Sequence, residues 1–182
     1  MLLTGRIRLK AQLNAVLIHA DGSRENLGNM ESRKPWYQRL WEFVSFDERG
    51  LVTTGGINAT AADLTASGGL AVFKFHDSGT GTTAAAQTDT ALQTQAGPTT
   101  RATGTNTQTQ SSSGTGSTTP AIVTSVGTIA YVSSLAITEW GLFNQAAQGG
   151  TMWDHRIFAA INVVSGDSIQ FTYSLSIPGG GT

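Results

Sequence analysis

Three histidines, each near an aspartate, come closest in this chain to a constellation that does chemistry: His19 with Asp21, His76 with Asp77, and Asp154 with His155. An imidazole beside a carboxylate can ligate a metal ion or relay a proton. Spacing works against that here. Adjacent residues on a strand point to opposite faces, so the latter two pairs converge on one ligand only where a bulge or turn intervenes. Asp77-Ser78-Gly79 reads as a turn whose carboxylate bonds the backbone. Gly79-Thr80-Gly81-Thr82-Thr83 has the composition of a phosphate-cradling loop, but no Gly-Lys-Ser/Thr follows and no parallel βαβ pattern surrounds it. Neither a Gly-x-Ser-x-Gly elbow nor a His-Glu-x-x-His helix occurs. No catalytic, cofactor-binding or metal-ligating set is assigned.

Glu139 is the remaining chemical residue of interest. In Leu135 to Phe143 it falls on the odd-numbered face with Leu135, Ile137 and Phe143, where it interrupts an apolar stripe. A carboxylate there is costly to bury without partners. The expectation is structural: it accepts hydrogen bonds from backbone amides of the adjacent loop, or pairs with Arg156 across a hairpin. Catalysis needs a second acid, base or nucleophile in a cleft, and none is evident.

The elements that must position these residues are strands. From Ser168 to Ile177 every odd position is apolar (Ile169, Phe171, Tyr173, Leu175, Ile177) and every even one small or polar, the pattern of a half-buried strand. Ser165-Gly166-Asp167 supplies a tight turn before it, and Ile157, Ala159, Ile161 and Val163 share a face of the preceding segment. Residues 135–143 and 151–158 flank a loop at 144–150, so the three segments are expected to form an up-down-up antiparallel meander. A strand from Ile122 to Val132 leads in, bounded by Pro120 before it and Pro178 after the block.

The N-terminal part reads as strand-like over residues 5–20, with Asp21-Gly22-Ser23 as a turn. Residues 33–44 form the one helix candidate. Ser32 caps it, Pro35 lies in its first turn, and Trp36, Leu40 and Phe43 fall at i, i+4 and i+7, with Tyr37, Trp41 and Val44 as a second stripe. That wide aromatic face either packs on the core or anchors a neighbouring subunit. Between Gly79 and Thr119 the chain is almost all Thr, Gly, Ser, Ala, Gln and Asn, with Leu92 its one large aliphatic and Asp89 and Arg101 its charges. So little apolar surface cannot offset the ordering entropy of a core of its own. The segment is expected to be a flexible linker, or an extended arm ordered on a neighbouring subunit by strand addition.

Composition limits the classes of function. The 182 residues suit one domain and can bury a sizeable core. Charged residues are 13% of the chain, about half the usual share of roughly 25%, so the surface relies on hydroxyl and amide groups or is covered by neighbours. Without cysteine, disulfides, thiolate metal sites and cysteine nucleophiles are excluded. Net charge of −1 does not fit a nucleic-acid partner, which calls for a clustered basic footprint. Arg6, Arg8 and Lys10 do alternate with Ile7 and Leu9, which makes either a solvated strand face or a phosphate-binding stripe. No apolar run approaches the ~20 residues of a membrane span, and the N-terminus lacks the continuous apolar stretch of a secretory signal. A soluble protein made in a cytoplasm, with no membrane partner, is the expectation.

One resemblance adds to this reading. The order Ile137-Thr138-Glu139-Trp140-Gly141-Leu142-Phe143, a Gly-containing loop, Ile157-Phe158, then Gly166-Asp167-Ser168-Ile169-Gln170-Phe171-Thr172-Tyr173 resembles structural proteins of tailed bacteriophages. It is similar to the hairpin of tail-collar and fibre-associated proteins and to small proteins that decorate phage heads. Residues 73–83 are similar to a segment that precedes the meander in such proteins, and the likeness spans roughly residues 70–178. It implies a non-enzymatic virion component, most readily a capsid decoration or cement protein, trimeric, whose partners are its own copies and the major capsid protein or other virion proteins. A tail-collar or fibre-associated adaptor is the alternative, and a carbohydrate-active β-sandwich enzyme, needing paired carboxylates, stands behind both.

Taken together, the sequence predicts a mainly β protein, an antiparallel β-sandwich or jelly-roll-like domain with one short helix and a long Thr/Gly/Ser-rich arm or loop. Three segments are expected: 1–78 with the aromatic helix, 79–120 as the arm, and 121–182 as the meander, the first and last making one domain. Trp36, Tyr37, Trp41, Trp140, Phe143 and Trp153 are the expected subunit or capsid interface, with Glu139 as the structural carboxylate of the hairpin.

Overall fold

Alternation of apolar and small polar side chains resolves into two antiparallel five-stranded sheets packed face to face. The structure, a computed structural model, describes residues 10–30, 51–52, 72–98, 100–109 and 121–177. The strands are β1 (Lys10–Ile18), β2 (Arg24–Asn29), β3 (Leu51–Val52), β4 (Phe75–Gly79), β5 (Ala102–Thr103), β6 (Thr105–Thr109), β7 (Ala121–Ala130), β8 (Leu135–Phe143), β9 (Met152–Val163) and β10 (Ser168–Ile177). Sheet A has the order β2-β1-β10-β7-β6 and sheet B the order β3-β9-β8-β4-β5. The helix expected at 33–44, with Trp36, Tyr37 and Trp41, lies outside the described residues, as do Arg6 and Arg8.

β10 is the centre of sheet A. Ile169, Phe171, Tyr173 and Leu175 are buried, while Ser168, Gln170, Thr172, Ser174 and Ser176 are half-exposed on the outer face. β1 lies alongside in unbroken register, Lys10 opposite Ser176 through Ile18 opposite Ser168, and contributes Ala11, Leu13, Ala15 and Leu17 to the same interior. Facing them from sheet B are Ile137, Trp140, Leu142, Trp153, Phe158, Ile161 and Val163. Trp140 is the hub. Its indole stacks on Tyr173 at 5.6 Å between ring centroids and tilts against Phe171 at 6.1 Å. Trp140, Phe143 and Trp153, expected at an interface, are therefore interior residues, each no more than 2% exposed. Burying an aromatic removes far more apolar area from water than a rim contact does, and both faces of this part of sheet B are covered.

The expected up-down-up meander is corrected in its last step. β8 and β9 do pair as a hairpin, but β10 leaves them for sheet A, between β1 and β7. A turn of the Ser165-Gly166-Asp167 kind serves a hairpin or a crossing between sheets equally well, so local signals do not separate the two. Here the crossing is fastened to neighbouring turns. Gly166, at φ +93°, donates its amide to the Tyr131 carbonyl, and the Asp167 carbonyl accepts from Tyr131. The Asp167 carboxylate accepts from the Ala20 and Val164 amides at 3.0 and 2.9 Å.

The segment expected as a free arm is also different where it is described. Residues 102–103 and 105–109 are strands β5 and β6 of the two sheets, and residues 80–98 lie across the outer face of β8 and β9. Glu139 and His155 of the β8–β9 hairpin hold residues 80–98, by backbone amides of that stretch and by its Asp89. Residues 110–120 lie outside the described residues. Among those described, no helix is long and apolar enough to cross a membrane.

Candidate functional site

Two register breaks in the β8–β9 hairpin lie among buried polar residues, Glu139, Asp154, His155 and Arg156. Ile137 pairs with Ile161 and Glu139 with Ile157, so Phe158, Ala159 and Ala160 face Thr138 alone; further along, Trp153 is an extra residue between the Leu142–Asp154 and Phe143–Met152 pairs. Bulges of this kind change which face a side chain takes. Ile137, Trp140 and Leu142 all enter the core, whereas Glu139 turns to the outer face. Glu139 thus shares its face with Phe143 but not with Ile137, and it does not interrupt the apolar stripe. Ala159, expected inward with Ile161 and Val163, is exposed for the same reason.

On that outer face Glu139 is fully buried. Its Oε1 accepts the amides of Gly81 and Thr94, both at 2.8 Å, and its Oε2 accepts the Gln93 amide at 2.9 Å and His155 Nε2 at 3.1 Å. The phosphate-loop composition of residues 79–83 has a physical basis, because these amides do cradle an anion. That anion is the chain's own carboxylate. Glycine is required at the approach: a Cβ on Gly81 would lie 2.6 Å from Glu139 Oε1, and one on Gly79 would collide with the Thr94 carbonyl and the same carboxylate. Burial pushes the Glu139 pKa up, but His155 and the three amides outweigh it and hold the carboxyl below its ordinary 4.5.

His155 continues the chain of contacts. Its Nδ1 lies 2.7 Å from Asp89 Oδ2, which also accepts the Ala86 amide at 2.8 Å. Burial disfavours the charged ring, yet the bonds to Glu139 and Asp89 prevail and raise the imidazole above 6.5. A protonated His155 donating from both nitrogens satisfies both carboxylates. The result is an Asp89–His155–Glu139 latch that closes residues 80–98 over the hairpin.

A second anchor lies beside it. Arg101 Nη1 donates to the carbonyls of Gln145, Ala147 and Gly149 at 3.0, 2.7 and 2.9 Å, and its Nε to Asp77 Oδ2 at 3.3 Å. The guanidinium carbon sits 3.5 Å from the centroid of the Phe143 ring. One arginine therefore fixes the whole 144–150 loop through its planar fork and its stacking face. Leu92 supplies the apolar contact of the 80–98 loop, lying so close over Gly141 that a Cβ there would come within 3.1 Å of its Cδ2.

The histidine–aspartate pairs separate as strand geometry demands. Asp77-Ser78-Gly79, expected as a turn, is instead the end of β4, paired with β8, although the Asp77 carboxylate does accept the Ser78 amide. Asp77 faces outward to Arg101, and His76 faces inward between the sheets. There His76 Nε2 lies 3.0 Å from Ser125 Oγ on sheet A, and Nδ1 accepts the Trp140 indole N–H at 3.2 Å. Burial pushes the imidazole down to about 3, so it is neutral, with the proton on Nε2. Ser78 Oγ and Tyr131 OH, 2.9 Å apart, make a second link between the sheets. Asp154 faces inward too and holds Arg156 in a bidentate pair, Nε to Oδ1 at 2.6 Å and Nη2 to Oδ2 at 3.0 Å. Arg156 is thus not the partner of Glu139. Its register partner is Trp140, one residue away, which puts it on the opposite face. His19 sits at the turn end of the sandwich, its Nδ1 3.6 Å from Asp167.

Four donors occupy Glu139, leaving no free lone pair aimed at a ligand, and the neighbouring carboxylates Asp89 and Asp77 are engaged by Ala86, His155 and Arg101. Among the described residues no cluster of three or more His, Asp or Glu is arranged to hold a metal ion. What this arrangement does chemically is to fasten two polar loops to a hairpin. No protein family, curated protein or solved structure significantly matches the chain.

Proposed function

We propose that this chain is a non-enzymatic structural subunit of a tailed-phage virion, a decoration protein that binds the head across capsomers and assembles with the major capsid protein. The observation that carries the reading is the use of Glu139. The charged residue of the hairpin that resembles phage structural proteins is occupied by three amides and an imidazole of its own chain, a loop anchor and not a group available to a substrate. Asp89, Asp77 and Arg101 serve the same end. The outer face of β10, with Ser168, Gln170, Thr172, Ser174 and Ser176, is uncharged hydroxyl and amide surface, which suits a part that adds buried area at a junction between subunits. Its action is mechanical: each contact across a capsomer boundary raises the free energy needed to pull the boundary apart.

The test is to mix the purified protein with phage heads that lack decoration, sediment them, and measure their disruption temperature. Co-sedimentation with a raised disruption temperature is the expected result. Failure to bind heads overturns the decoration reading, and binding to tails in the same assay establishes the collar or fibre adaptor in its place.

A further inference from the structure

The loop closed by the Asp89–His155–Glu139 latch is fastened on both sides of an exposed tip. On the entering side Glu139 holds the Gly81 amide, the Gly81 carbonyl accepts from Thr138 Oγ1 at 2.8 Å, and the Thr80 amide donates to the Thr94 carbonyl at 2.8 Å. On the leaving side His155 holds Asp89, and Glu139 holds the amides of Gln93 and Thr94. The Gln93 side chain ties the two sides together through the backbone of Thr83. Between these anchors Thr82, Thr83, Ala84, Ala86, Gln87 and Thr88 are exposed, and Ala84 and Ala85 make no hydrogen bond with any described residue. Exposed tips of small and polar residues are where folded chains are cut. The sequence restricts what can cut this one. Lys and Arg are absent between Lys74 and Arg101, and aromatic residues between Phe75 and Tyr131, so the tip offers no bond to an enzyme whose pocket takes a cation or a ring. It offers Ala84, Ala85 and Ala86.

We infer that the Ala84–Ala85 bond is a processing site, at which an endoprotease with a pocket for small side chains cuts the chain without dismantling it. Water adds across the bond, leaving a carboxylate on Ala84 and an ammonium group on Ala85. Both new charges arise at an exposed tip, so neither is taken out of water. The fold holds the product together, because the cut separates β1–β4 from β5–β10 and the two sets interleave in both sheets. In sheet A, β1 stays paired with β10 from Lys10 to Ile18. In sheet B, β4 lies between β8 and β5, and β3 lies on β9. Neither piece can leave without breaking ladders in two sheets and parting the core between them. This inference stands apart from the virion reading, since it needs only the fold and the exposed tip.

Elastase, which accepts alanine at the scissile bond, is the direct probe, with mass spectrometry to locate the cut. Cleavage after Ala84 is expected, and the pieces that meet at that bond should elute together at the uncut size and separate only in urea. Ala84→Arg supplies an independent measurement, because trypsin then has one site between Lys74 and Arg101. Tryptic cleavage after position 84 in that variant should be at least about tenfold faster than after position 172 in Thr172→Arg, since a strand paired on both sides opens only with the fold. Absence of elastase cleavage after Ala84, equal tryptic rates at the two positions, or pieces that separate without urea would each overturn the inference.

Discussion

His76 of sheet B occupies the space that a side chain on Gly127 of sheet A would need: a Cβ at position 127 would lie 2.5 Å from the imidazole Cδ2. Gly104 also lies against the ring, with a Cβ there 2.7 Å from Nε2. The two sheets are thus matched by a ring set into a notch of two glycines. Gly127→Ala is expected to destabilise the protein by about 1–3 kcal/mol through overpacking. In His76→Ala the same substitution should cost much less, so a double-mutant cycle by urea unfolding should return a coupling of at least about 1 kcal/mol. Additive costs would mean that the ring and the glycine do not share the space.

Glu139→Gln keeps the shape of the anchor and removes its charge. One of its oxygens becomes a donor facing amides that themselves donate, so a loss of about 2–3 kcal/mol is expected. The diagnostic readout is local. Amide exchange should accelerate at Gly81, Gln93 and Thr94, with β1 and β10 keeping their protection. Uniform acceleration across both sheets would contradict a latch confined to residues 80–98.

The latch should have its own pH window. Glu139 has a lowered pKa, so its contribution is present above the ordinary 4.5 and is lost as pH falls through the folded value. His155 has a raised pKa, so its contribution is full below 6.5 and is lost as pH rises through the folded value. Protection factors at Gly81, Gln93 and Thr94 should therefore be flat between about 4.5 and 6.5 and decline on either side. In His155→Gln the decline at high pH should vanish.

Global stability should follow a different residue. His76 is neutral in the fold with a pKa of about 3 against an ordinary 6.5, so between those values the unfolded chain binds the additional proton. Below pH 6.5 this group alone should lower stability by up to about 1.4 kcal/mol per pH unit. Urea midpoints across pH 4–7 measure it. His76→Gln is expected to be less stable at pH 7 but flatter in acid; an equally steep acid slope would assign the sensitivity elsewhere.

Arg101→Lys keeps the charge but cannot reach three carbonyls and a carboxylate while lying on the Phe143 ring. A loss of about 2–4 kcal/mol is expected from the unpaired buried groups left behind. Limited proteolysis should then cut within residues 144–150, which in the unmodified chain should resist cleavage.

Much of the sheet framework was legible in the chain itself. The period-two run at 168–177 identifies β10 and the face it buries, the strand-like reading over residues 5–20 contains β1 without its buried face, and the expected turn at Asp21-Gly22-Ser23 is present, with Gly22 at φ +84° and the Ser23 amide on Asp21 Oδ1. The expectation failed where both faces of a strand are covered. In β8 and β9 alternation breaks at the bulges, so Glu139, Ala159, Trp140 and Trp153 could not be assigned a face by counting. The low-complexity segment carried a signal as well. Its three exceptional residues, Asp89, Leu92 and Arg101, all reach the hairpin, on His155, Gly141 and Phe143, and Arg101 also holds Asp77 of β4. In a segment that buries little of its own surface, the few residues able to bury surface or charge are the attachment points.

Sequence by itself determined the β class, the buried face of β10, the turns at Asp21-Gly22-Ser23 and Ser165-Gly166-Asp167, and the lack of any cysteine chemistry, because those follow from side-chain period and residue type within a few positions. Only the tertiary structure decided that β10 crosses to the other sheet, that Arg156 pairs with Asp154, and that Glu139 closes a loop through residues 46 and 58 positions away. The reason is physical. A buried carboxylate must be satisfied by some donor, but which donor is fixed by register and bulges between strands distant in sequence, and a shift of one residue reverses every face.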